Sequence, residues 1–226
     1  MHLLAIETAS ETVSVALSIN GEVLERYEHA PRQHAELLLP WVEELVADAG
    51  IGFKALDAIA FSRGPGSFTS LRIGIGVVQG LAWASDLPVI PVSSLAATAQ
   101  SAYKEGISSA VVALDARMNE VFTGTFEANR DEIMIPIGEE RVCAPAEVQA
   151  PQDAGFHGVG IGFERYEPLA QLSDQLVAVR TDIWPRAASV ITLAQYWLLS
   201  NTALPAEQAQ PVYLRDNVAK KTSERL

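Results

Sequence analysis

The sequence predicts an α/β protein of two similar lobes, each a mixed sheet with helices on both faces. Three observations lead there. Apolar runs of strand length alternate with segments of helical periodicity. Three strands stand together ahead of the first helix in each half, as a mixed rather than a purely parallel sheet requires. The element order of residues 1–105, βββαβαβα, recurs in residues 106–226, so the two lobes are expected to divide there. A chain of 226 residues that is 49% hydrophobic and 19% charged can bury a core of this kind.

The elements follow in order. Residues 3–6 are a short apolar strand, and residues 12–19 alternate apolar with small polar side chains. Asn20-Gly21 is a hairpin signal leading into a strand over 22–27. Over 33–49, Leu37, Leu38, Trp41, Val42, Leu45 and Val46 recur at helical spacing until Gly50, with Pro40 removing one backbone bond on the way. A buried strand over 56–61, a helix over 67–84, a strand over 88–92 and a helix over 94–103 complete the first half. The second half reads as strands over 110–114, 120–127 and 132–137 and a short helix around 146–150. A strand over 158–161, a helix over 164–172, a strand over 176–180 and a helix over 186–199 follow. Two such lobes side by side form a cleft, a common place for a ligand.

Charge narrows the function. Sixteen basic and twenty-eight acidic side chains leave a net −12, which repels nucleic acid, whose binding rests largely on neutralising phosphate. The exception is residues 215–226, locally basic through Arg215, Lys220 and Lys221, which read either as a solvated terminus or as a contact for RNA or a partner. The N-terminus lacks the basic and long apolar segments of a signal peptide. The most apolar uncharged run, residues 73–85, falls short of the roughly 20 residues of a membrane span. A lone Cys143 forms no internal disulfide, so a soluble protein of the reducing cytoplasm, without a membrane role, is expected.

Two stretches hold the candidate chemistry. Arg63, Gly64, Pro65, Gly66 and Ser67 end a strand and open a helix, a junction that turns backbone N–H groups and the positive helix end toward an anion. The spacing matches neither a P-loop nor a dinucleotide fingerprint, and a plain tight turn capped by Ser67 remains the competing reading. Glu7, Thr8, Ala9 and Ser10 form a second, hydroxyl-rich turn, read as a polar hairpin or a phosphate loop. The helix after Ser67 carries Gly74, Gly76 and Gly80, each costing about 1 kcal/mol against alanine. Gly76 and Gly80 lie four apart, flanked by Ile73 and Val77, and close approach of another helix would offset their cost. The helix over 33–49, apolar over more than one stripe through Leu37, Leu38, Trp41 and Leu45, is the matching element of such an interface; an internal core is the alternative. His2, His29, His34 and His157 show no zinc-hydrolase spacing, so no metal site is expected. No catalytic constellation emerges. Asp115, ending a strand at the cleft, is the one acid singled out.

These residues resemble the TsaB (YeaZ) family. The resemblance is carried by Leu4 to Ala9, by His34 with Leu37 to Pro40, by the run from Arg63 to Gly74, by Asp115 to Met118, and by Tyr213 to Arg215. It implies the actin/Hsp70/sugar-kinase fold and a part in the bacterial machinery that places threonylcarbamoyl on adenosine 37 of tRNAs reading codons that begin with A. The catalytic paralogue TsaD carries two metal-binding histidines where this sequence has Ser94 and Thr98. The resemblance therefore implies a non-catalytic subunit that pairs with TsaD, is joined by the ATPase TsaE, meets tRNA only through the complex, and self-associates as a homodimer when TsaD is absent. No cofactor is expected beyond weak nucleotide binding at Glu7, Thr8, Ser10, Arg63, Gly64, Gly66 and Ser67. Members often have Asp where this chain has Glu7. The rival reading is a small ATPase or kinase of the same fold, with Thr8, Ser10 and Gly66 near phosphate and Asp115 as acid or base.

Overall fold

The computed structural model describes residues 1–152 and 155–215. Lys220 and Lys221 lie outside the described residues.

The first sheet is built from β1 (Leu3–Glu7), β2 (Thr12–Ile19), β3 (Glu22–His29), β4 (Ala58–Gly64) and β5 (Val89–Ser93), in the order β3-β2-β1-β4-β5. Strands β1, β4 and β5 run parallel, whereas β1-β2-β3 is an antiparallel meander turned at Asn20-Gly21. Both turn residues have positive φ, 52° and 91°, the conformation that Asn and Gly adopt at least cost. The second sheet comprises β6 (Ser109–Asp115), β7 (Val121–Ala128), β8 (Met134–Pro136), β9 (Arg141–Cys143), β10 (His157–Val159) and β11 (Val179–Arg180). Its order is β11-β10-β6-β7-β8, with β9 also on β7. Strands β6, β10 and β11 are parallel and β6-β7-β8 antiparallel, so each sheet repeats the other's plan. This doubled mixed sheet with covering helices is the actin/Hsp70/sugar-kinase architecture.

The helices are α1 (His34–Asp48), α2 (Phe68–Ser85), α3 (Ser94–Lys104), α4 (Gly162–Arg165), α5 (Glu167–Leu172) and α6 (Ala187–Trp197). Helix α1 runs on through Pro40. The continuous helix expected over 164–172 is two pieces, broken at Tyr166, whose φ of −127° and ψ of 115° are extended backbone. Pro168 lies in the first turn of α5, where its missing N–H is harmless. No helix forms around 146–150. Only a 3-10 turn at Pro145–Glu147 is present, preceded by the unforeseen strand β9.

The strands of the two sheets lie on either side of residue 105, while the helices that cover them cross it. Helix α6 packs on β1, β2, β4 and β5 of the first sheet, where Val190, Ile191 and Ala194 share a core with Leu3, Ala5, Ala60 and Ile90. Helix α3 turns Leu95, Ala99 and Ala102 onto β6 and β7 of the second. Each lobe is completed by a helix from the other half of the chain. Among the described residues no helix is long and apolar enough to cross a membrane.

Candidate functional site

The hydroxyl-rich turn after β1 and the glycine-proline-glycine turn after β4 lie against each other. At the end of β1, Glu7 is fully buried, and the Ala9 N–H donates to its Oε1 at 2.6 Å, while Oε2 has no partner among the described residues. Burial pushes the Glu7 carboxyl up to about 7, against the opposing pull of the Ala9 N–H and the Ser62 hydroxyl. The Ser67 N–H, one of the donors that would face an anion, donates to the Ala9 carbonyl at 2.7 Å. A Cβ on Gly66 would stand 2.2 Å from that same carbonyl, and a Cβ on Gly74 would stand 2.2 Å from Thr8 Oγ1. These two glycines exist so that the turn and α2 can close on β1.

The consequences for the anion reading are direct. Thr8 and Gly64 are buried, and Ser10, Arg63 and Gly66 are half-buried; only Ser67 is exposed. The Ser67 hydroxyl lies 3.0 Å from the Ser70 hydroxyl rather than capping the helix through the backbone. A phosphate at this turn would have to displace contacts the chain makes with itself. His34, another motif residue, is buried with Nε2 3.1 Å from the Ser10 carbonyl, and burial holds its pKa below the usual histidine value. It braces the same turn as a neutral ring.

Asp115 is not an unengaged acid. Tyr166 Oη donates to its Oδ1 at 2.7 Å, the Arg117 N–H donates to the same oxygen at 2.7 Å, and Arg165 grips Oδ2. Burial raises its pKa, but these donors together hold it below the usual carboxylate range. Arg165 also reaches Glu11 of the first lobe at 2.8 Å, and Arg117 lies 3.5 Å from Glu11. Thus the mouth of the cleft is stitched by a carboxylate and guanidinium network spanning the lobes. The sequence reading missed Glu11, Arg165 and Tyr166, since nothing local marks residues 154 positions apart as partners.

Arg215, expected to reach RNA or a partner, is held at home. Its guanidinium donates to the Ala116 carbonyl at 3.0 Å and pairs with Glu120. Ser94 and Thr98 are buried on α3, with the Thr98 hydroxyl donating to the Ser94 carbonyl at 2.8 Å.

The second candidate surface is the outer face of α2. Beside Gly76 and Gly80 an added Cβ would meet nothing within 4 Å among the described residues. Trp83, on the same face three residues beyond Gly80, is 85% exposed. Phe68 is exposed at the start of the helix with the Arg72 guanidinium 3.6 Å over its ring. Ile73 and Val77 are half-buried beside this stripe, as are Leu37 and Trp41 on α1. Leu38 and Leu45 are corrections. Both are fully buried in the core under β1 and β2 and belong to no outer face. Leu39 is exposed on α1 but, two residues from both Leu37 and Trp41, points to another side of the helix. Trp83 was legible from its spacing.

A doubled α/β fold of this plan, here with a stitched cleft and an open, glycine-marked helix face, defines a member of the actin/Hsp70/sugar-kinase class. A family model described as "TsaD: tRNA N6-adenosine threonylcarbamoyltransferase" matches residues 27–223. The tRNA threonylcarbamoyladenosine biosynthesis protein TsaB of Haemophilus influenzae is 38% identical over 98% of this chain and 96% of its own. TsaB of Escherichia coli is 39% identical over 98% and 97%. The structure of YeaZ from Pseudomonas aeruginosa superposes with a TM-score of 0.87 at 43% identity, covering 94% of this chain and 99% of that one. The chain belongs to the TsaB (YeaZ) family.

Proposed function

We propose that this chain is a non-catalytic subunit in tRNA threonylcarbamoyladenosine biosynthesis, acting in the cytoplasm. It pairs through the outer faces of α1 and α2 with the catalytic paralogue TsaD, the ATPase TsaE joins the pair, and tRNA is met only by the assembly. In the absence of TsaD the same face joins two copies of this chain. The observation that carries the reading is the state of α2. Gly76 and Gly80 are a helix-interior liability of about 1 kcal/mol each with no neighbour among the described residues to explain them. A partner helix packed closely on that face explains them, and exposed Trp83 supplies the kind of aromatic anchor on which interfaces depend. The reading is supported further by Ser94 and Thr98, whose hydroxyls are poor metal ligands and face inward, and by an Asp115 bound up in ion pairs.

The test is co-elution with TsaD from a sizing column. Gly76→Leu and Gly80→Leu place a side chain in the contact and should weaken the heteromer by about fivefold or more, as overpacking of a close contact costs about 1–3 kcal/mol. The far-UV spectrum of the isolated chain should not change. In a reconstituted reaction with TsaD, TsaE, the threonylcarbamoyl donor and tRNA, the modified nucleoside seen by mass spectrometry should require this chain. A variant that still co-elutes, or product formed equally well without the chain, refutes the proposal.

A further inference from the structure

A second opening between the lobes contains none of Glu7, Thr8 or Asp115. It is a cavity of about 640 Å³ at the carboxyl ends of the parallel strands β4 and β5, closed on its other sides by β8 and α6. That is where open α/β sheets commonly take ligands, and the volume lies within the usual range for small-molecule sites. Val92, Ile135, Leu193, Trp197 and Leu214 make much of its wall apolar.

Two opposite charges stand in this wall. Glu140 is fixed in place, because its Oε1 accepts from the Ser93 hydroxyl, which itself accepts from the Leu95 and Ala96 N–H groups at the start of α3. Burial raises the Glu140 carboxyl's pKa, while the Ser93 hydroxyl and the charge of Arg63 act to lower it. Arg63 is therefore near enough to be felt, yet no ion pair joins the two among the described residues. A half-buried guanidinium and a half-buried carboxylate that feel one another without forming a contact ion pair each gain from a further counter-charge. A polyanion such as a nucleotide is disfavoured, since Glu139 and Glu140 line the cavity together with Arg63. A neutral apolar ligand would leave both charges unpaired.

We infer that this cavity binds an amino-acid-type zwitterion with an apolar side chain. Its carboxylate pairs with the Arg63 guanidinium, its ammonium with the Glu140 carboxylate, and its side chain lies on the apolar wall. The inference is independent of the subunit reading, as it concerns neither α1 nor the outer face of α2.

The test is calorimetric titration of the full chain with L-leucine, L-methionine and L-phenylalanine, alongside L-leucinamide, which lacks the carboxylate, and N-acetyl-L-leucine, which lacks the ammonium. Saturable binding is expected for at least one free amino acid. Each of its one-charge analogues should bind at least about tenfold more weakly, the size of one lost charged hydrogen bond. Arg63→Met should weaken the amino acid but not the amide, and Glu140→Gln should weaken the amino acid but not the N-acetyl compound. This cross-pattern separates a lost contact from a lost fold. Absence of saturable binding for all three amino acids at about 10 mM, a concentration that reaches interactions of about 3 kcal/mol, overturns the proposal. So does equal binding of the free acid and both analogues.

Discussion

The three glycines of α2 show how position on a helix decides what a residue is for. Gly74 and Gly76 are two apart and point to opposite sides of the helix. Gly74 faces Thr8, and Gly76 faces open space. Gly76→Ala should therefore raise the stability of the isolated chain by about 0.5–1 kcal/mol, the helix-propensity difference. Gly74→Ala should lower it by about 1–3 kcal/mol, because Thr8 is buried and stiff at χ1. Urea unfolding of the two variants reads both signs. Glu7 makes a second residue-scale prediction. Its carboxyl titrates near 7 when folded but near 4.5 when unfolded, so the folded state holds a proton that the unfolded chain releases. The stability this supplies is complete below about pH 4.5 and lost as pH rises through 7, a change on the order of 3 kcal/mol. Glu7→Gln should remove that slope and leave a chain more stable than the parent at pH 8, measured by urea midpoints at pH 5 and 8. The opposite sides of Gly74 and Gly76 were legible from their spacing. The burial of Glu7 was not, for a strand-end carboxylate gives no local sign of what will cover it.

At the scale of elements, α6 depends on strands far from it in sequence. No side chain of its own caps its first turn. The cap comes from β2 and β3: Ser14 Oγ accepts from the Ala187 N–H at 2.9 Å, and Glu25 Oε1 accepts from the Ala188 N–H at 3.0 Å. Ser14 also donates to Glu25 at 2.8 Å, and Arg186 clasps the other carboxylate oxygen at 2.7 Å. A carboxylate at a helix N-terminus is favourable both as an acceptor and toward the helix dipole. Glu25→Ala should cost about 2 kcal/mol and Ser14→Ala about 1, with the double variant less than additive because the two share one network. Denaturation of the three chains checks this. The long elements of the first half were readable because each carries its own signal, such as the periodicity of α1 or the Asn20-Gly21 turn. In the second half β9 is three residues long and owes its strand form to pairing with β7. Ala146 and Glu147 are good helix formers, but between Pro145 and Pro151 the chain makes only a 3-10 turn. Such short pieces take their conformation from distant partners, and a local pattern does not contain it.

The whole molecule is less divisible than its repeated sequence pattern implies. Two equal halves would fold as two units if each completed its own core, but α3 and α6 are exchanged between them. Val190, Ile191 and Leu193 come from the last helix and cover the first sheet. At about 1.5–3 kcal/mol for each fully buried side chain, their loss approaches the 5–15 kcal/mol that holds a typical domain folded. A fragment of residues 1–105 would bare the face of β1, β4 and β5 that α6 covers, and would strip from Leu95, Ala99 and Ala102 the second sheet they pack against. The stitch of Glu11, Arg165 and Asp115 adds a further tie across the cleft, worth little pair by pair at the surface but anchored by an Asp115 side chain only 7% exposed. The expected result is that fragment 1–105 shows no cooperative urea transition. Adding a synthetic peptide of residues 184–199 should restore one at peptide concentrations above its dissociation constant, as binding to the folded form alone requires. The intact chain should unfold in a single step by both tryptophan fluorescence and far-UV circular dichroism. A fragment that unfolds cooperatively by itself would mean that the first sheet is stable with one face bare, and that α6 serves to join the lobes rather than to complete one of them.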